Sequence, residues 1–153
     1  MAVEITVEGI PRGEIERAVA RLFRKSTMNL YGRSVRARTR ERMIEEVDPD
    51  GTPWAPLSEP YGSRKKGPGK LRETLALFKT MHVEAQKGAA QVGTRLDYGT
   101  WNQEGTESVG VTIGAFGAEA SPRDLPARPW LGVTDQDITD IEVIANGIWE
   151  DSF

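Results

Sequence analysis

The side chains able to do chemistry are few and scattered. His82 is the only histidine, and the chain has no cysteine. A zinc site or a Ser-His-Asp arrangement built on His82 therefore lacks its other members. Asp48-Pro49-Asp50-Gly51 begins like a calcium loop. Its glycine falls too early, though, and Glu59, where a closing glutamate would stand, is followed by Pro60. A helix stop and turn is the better reading. Gly67-Pro68-Gly69-Lys70 resembles a phosphate loop only superficially. Pro68 removes a backbone donor, and Leu71 occupies the place of the magnesium-binding Ser or Thr. Asp135, Asp137 and Asp140 form a run of carboxylates. Helix capping accounts for the first two and solvation for the third. The expectation is no catalytic residue, no metal ligand and no cofactor.

Arginine carries the remaining chemistry. Arg128 lies between Pro126 and Pro129, so its backbone has little freedom and its guanidinium a fixed direction. A bidentate pair with a carboxylate, within the subunit or across an interface, is the expected use. Residues 12–42 hold ten Lys/Arg against Glu14, Glu16 and Glu41. Arg33, Arg36 and Arg40 in this run, with Arg64, Lys65 and Lys66 in the loop beyond it, are candidate contacts for a partner protein or for DNA. There is no aromatic interleaving and no recognition-helix signature. Any DNA contact would be weak and non-specific, like the lining of a channel. The charge is also polarised: residues 1–75 sum to +4 and residues 76–153 to −7. Such a division suits head-to-tail contact between copies or layers of an assembly.

A chain of 153 residues is expected to form a single domain over 1–153. Its apolar share of 38% is low for a self-sufficient globule and points to surfaces that meet other chains. The absence of cysteine suits a reducing compartment. No apolar run is long enough to span a membrane, and the first residues do not resemble a signal peptide. The product is expected to remain in the cytoplasm where it is made.

These residues must be positioned by an α+β fold: a long N-terminal helix, a small antiparallel β-sheet and a C-terminal helix. Residues 2–10 alternate Val3, Ile5 and Val7 with Glu4, Thr6 and Glu8, as a half-buried strand does. Residues 13–47 read as helix, with Ile15, Val19, Leu22, Phe23 and Leu30 on one stripe. A straight helix of that length reaches roughly 50 Å, beyond the span of about 40 Å expected of such a domain. A break at Tyr31-Gly32 is predicted, because Arg33 and Arg40 would otherwise fall under the apolar stripe. Residues 52–57 read as extended and 58–70 as a mobile loop. Residues 71–78 suggest a short helix with Leu71, Leu75 and Phe78 inward. Strands follow at 80–86 and 89–95 around Lys87-Gly88, then a short helix at 98–104 and a strand at 108–116. Thr134 and Asp137 form a capping box. It opens a last helix with Ile138, Ile141, Ala145, Ile148 and Trp149 on its apolar face.

Three motifs in order resemble the phage virion morphogenesis family, the tail-completion and neck proteins of Mu-like and P2-like phages. Asp48-Pro49-Asp50-Gly51-Thr52-Pro53-Trp54-Ala55-Pro56-Leu57 is similar to its "PdGtpWapL" signature. Val92-Gly93-Thr94, with Tyr98-Gly99-Thr100-Trp101-Asn102-Gln103-Glu104-Gly105-Thr106, is similar to its "vGt…YA..hq.Gt" stretch. Pro126-Ala127-Arg128-Pro129-Trp130-Leu131-Gly132 resembles its "iPARPFLG" ending. Gly99 stands where the family has alanine, and residues 71–80 lack the family's glycine. The resemblance implies a non-enzymatic structural protein at the head–tail junction, with Trp54, Tyr98, Trp101, Arg128, Trp130 and Leu131 as structural or interface residues. It also implies a homo-oligomeric ring, of six copies or a multiple, that completes the proximal tail and meets neighbouring connector and tail proteins. The location would be the virion neck. A tail terminator capping the tail tube and a non-specific DNA-binding protein are the alternatives.

Overall fold

A computed structural model describes residues 9–57, 59–67, 69–72, 74–105 and 126–153. The strands expected at 108–116 and, but for its last two residues, at 2–10 lie outside the described residues. The order of elements is α1 (Arg12–Leu22), α2 (Lys25–Glu45), α3 (Glu59–Gly62), α4 (Ala76–Thr80), β1 (His82–Gln86), β2 (Ala89–Gly93), α5 (Asp97–Glu104) and α6 (Asp135–Glu150). The class is α+β, with helices at both ends and a two-stranded antiparallel sheet. No described helix is long and apolar enough to cross a membrane.

The long helical stretch does break, but at Phe23-Arg24 rather than at Gly32. Arg24 is extended (φ −69°, ψ 155°). The carbonyls released there find donors. The Thr27 hydroxyl donates to Arg21 O at 2.6 Å, and Gly88 N donates to Phe23 O at 2.8 Å. Gly32 lies buried inside α2, where β1 crosses it, and a Cβ there would overlap Val83 Cγ1. The glycine permits a close approach of helix and strand; it does not end the helix.

After α2, Glu46 adopts a left-handed conformation and Asp48 accepts hydrogen bonds from the backbone of Asp50 and Thr52, both at 2.9 Å. The predicted turn is thus an Asx turn. The segment 58–70 is more structured than expected at its ends. Its start forms α3, and at its finish Lys70 N donates to Glu46 Oε1 at 2.6 Å while Lys70 Nζ reaches Trp54 O. Helix α4 starts five residues later than predicted, after a left-handed Leu75. That rotates its inward side, and Leu77 becomes fully buried while Leu71 and Phe78 pack at the margin. The hairpin follows the sequence, pairing Gln86 with Ala89 across Lys87-Gly88.

The core is Met43, Trp54, Leu77, Met81 and Trp130, so α2, the extended strap after it, α4 and the 126–133 segment all converge. The outer helices are covered less than their patterns implied. Val19 and Phe23 of the first stripe are exposed, and Ala18 is the buried residue of α1. On α6, Ile138 is 47% exposed, because the inward side is centred on Asp137.

Candidate partner-binding face and the strap that supports it

Residues 126–133 run through the molecule as an extended strap. Arg128 is buried, and two donors of its fork serve backbone carbonyls. Nε donates to Ala55 O and Nη2 to Pro56 O, each at 2.9 Å, while Arg128 N donates to Asn102 O at 2.7 Å. A planar fork suits two successive carbonyls as well as it suits a carboxylate. Trp54 Nε1 donates to Pro129 O and Trp130 Nε1 to Gly99 O, both at 2.8 Å. Trp130 therefore anchors the strap against α5 and the α2–α4 core. Leu131 and Tyr98 are half-buried against the same core, and Trp101 is half-buried on α5.

Gly99 explains the departure from alanine: a Cβ there would stand 2.6 Å from Thr94 Cγ2, with the Trp130 ring close by. Gln103 was missed. Its Oε1 accepts from Trp130 N and Leu131 N, both at 3.0 Å, and its Nε2 donates to Leu131 O at 2.8 Å. One side-chain amide thus replaces a neighbouring strand for this segment. The "hq.Gt" match held the signal, since the amide has the donors and acceptors that a lone extended strap requires.

Helix α2 divides its arginines between two sides. Toward α6, Arg42 Nη1 pairs with the fully buried Asp137 at 3.1 Å and Nη2 donates to Gly132 O at 2.8 Å. Asp137 Oδ2 also accepts from Thr134 N, closing the capping box. One turn earlier Arg38 grips Asp140 with two donors, at 2.6 and 3.2 Å. The hydrogen bond to Arg38 holds the Asp140 carboxyl below its ordinary value, and the same bond raises Arg38. Asp140 is therefore a chelated partner and not a solvated one. Part of the charge polarity of the chain is consumed inside the subunit by this ladder.

On the outer side Arg33, Arg36 and Arg40 recur at helical spacing and line an open groove of about 430 Å³ with Leu30, Ala37 and Ile144. None of the three forms an ion pair among the described residues. Arg40 instead lies over the Phe78 ring, 5.3 Å from its centroid, and donates to Phe78 O. Burial first, and then Arg40 and Arg33 alongside, lower the pKa of Arg36. Leu30 (44%) and Ile44 (53%) are exposed on the same side. Arginine mixed with aliphatic side chains matches the make-up of protein interfaces. Arg64, Lys65 and Lys66 do not line this groove; Lys65 donates to Gly67 O in its own loop. His82 lies 3.4 Å from Glu84, and no metal-binding group of three His, Asp or Glu occurs among the described residues.

The model of the phage virion morphogenesis family matches residues 13–148. No curated protein and no solved structure matches significantly. The match takes in α2 with both its faces, the strap and nearly all of α6. The chain belongs to the phage virion morphogenesis family, whose members are structural proteins of the virion.

Proposed function

We propose that the protein acts at the head–tail junction, where copies of it form a ring that completes the proximal end of the tail. Family membership supports a virion assembly role. The observation that carries the finer reading is the outer side of α2. A folded chain with a sound core still exposes Leu30 and Ile44 there, and Arg33 and Arg36 form no ion pair among the described residues. Such surfaces are retained where another protein covers them. The neighbours would be connector and tail proteins as well as further copies.

The test is its position in the particle. Gold-labelled antibody on intact virions, viewed by electron microscopy, is expected at the junction of head and tail. Particles assembled without the protein are expected as separate filled heads and tails whose proximal end is incomplete. Label at the distal tip, or joined particles lacking the protein, would refute the reading.

A further inference from the structure

The outer stripe of α2 and the outer stripe of α6 carry matching patterns. On α2, Leu30, Ala37 and Ile44 are exposed at seven-residue intervals, with Arg33 and Arg40 beside them at the same interval. On α6, Asp135 and Glu142 are exposed, also seven residues apart, and Ile138 and Val143 next to them are 47% and 66% exposed. Seven residues rise about 10.5 Å on either helix, so both charges can meet both counter-charges in one register. Neither acid forms an ion pair among the described residues, in contrast to Asp137 and Asp140 on the other side of α6.

We infer that α6 of one copy lies on α2 of the next, Asp135 and Glu142 against Arg33 and Arg40, with Val143, on one flank of the two acids, covering the Leu30-Ala37-Ile44 stripe. This rests on the ring reading and names its contact. The two surfaces differ, so the contact is heterologous and propagates from copy to copy until rotation closes it. The opposite charges set partner and register, and the aliphatic stripe supplies the burial.

The absence of cysteine makes cross-linking decisive. A chain with Ala37→Cys and Val143→Cys, treated with a short bismaleimide, is expected to give a ladder of trimers and larger species. Either cysteine alone is expected to stop at the dimer. Arg33→Glu with Arg40→Glu, or Asp135→Arg with Glu142→Arg, added to the two cysteines, is expected to reduce the ladder at least tenfold. Mixing the two charge-reversed chains is expected to restore it, since each then meets its complement. Asp135 lies in the first turn of α6, so melting curves accompany every variant, and Glu142→Arg alone carries that arm if the double variant unfolds. A native double-cysteine chain that gives no ladder, a ladder indifferent to charge reversal, or mixing without rescue overturns the contact. So does charge reversal on α2 that abolishes retention on DNA and leaves the ladder intact, which would assign this face to nucleic acid. Self-association of the native chain by sedimentation, without the ladder, would leave the ring reading standing and remove this interface alone.

Discussion

The two sides of α2 bear the same residue type and behave differently. Toward the core and α6, Arg38 and Arg42 each hold an aspartate. On the other side, Arg33, Arg36 and Arg40 line an open groove with Leu30, Ala37 and Ile144 and form no ion pair among the described residues. The inner pairs are partly or wholly withdrawn from water. Removing one member of the Arg42–Asp137 pair strands a charge in a poor solvent, at high cost. The outer row is solvated, so the same substitution costs the fold little. Charge on this helix is thus structural on one side and available for recognition on the other.

The largest effect should come from the inner side's packing. Trp130→Ala empties a core site shared with Met43 and Leu77 and is expected to lose about 4 kcal/mol in denaturant unfolding. A loss under about 1 kcal/mol would mean that the strap is held by its hydrogen bonds and not by the ring. Asp137→Ala should follow, at about 3 kcal/mol, because it orphans the largely covered Arg42 and opens the capping box. If Asp137→Ala proves as mild as Arg33→Ala, the contrast between the two sides collapses.

Gly32→Ala decides the meaning of the mid-helix glycine by sign. With β1 pressed on it, the added methyl should cost about 2 kcal/mol through overpacking against Val83. A glycine merely interrupting an open helix would instead gain from alanine, by roughly 0.5 to 1 kcal/mol. Melting curves of the single variant give the answer.

Acid should weaken the inner side selectively. Hydrogen bonds from Arg38 depress Asp140 from 3.8; for Glu46 burial pushes upward, but Lys70 outweighs it and the carboxyl falls below 4.5. A depressed carboxyl adds stability above its unfolded value, and the addition disappears as pH falls through the folded value. The melting temperature should therefore drop as pH falls below about 4.5 and approaches the folded values. Arg38→Ala should flatten that drop. An equally steep drop without Arg38 would place the titration elsewhere. The smallest effect belongs to the outer row: Arg33→Ala should change stability by less than about 0.5 kcal/mol while weakening cross-linked assembly.

Much of the local structure could be read from the residues. The Lys87-Gly88 turn, the Asp48 stop and the Thr134–Asp137 box each depend on a few neighbouring positions, and each forms where its pattern lies. Break points were less legible. The Phe23-Arg24 break depends on Thr27 and on Gly88, one of them sixty-five residues away, taking up freed carbonyls. The position of α4 and the exposed outer residues of α1 and α6 likewise depend on what packs above them.

The sequence by itself determined the family motifs, the α+β class and the amino acids from which a basic helix and an acidic helix are made. Tertiary structure alone decided which charges cancel. Arg38 meets Asp140 across 102 positions and Arg42 meets Asp137 across 95, so no local pattern separates them from Arg33 and Arg40. Helical spacing places arginines around α2; only the packing of α6 against one side of it chooses which of them are paired. Gln103 is the same case in miniature. Its amide becomes a strand partner only because the strap, twenty-seven residues on, passes within hydrogen-bonding distance.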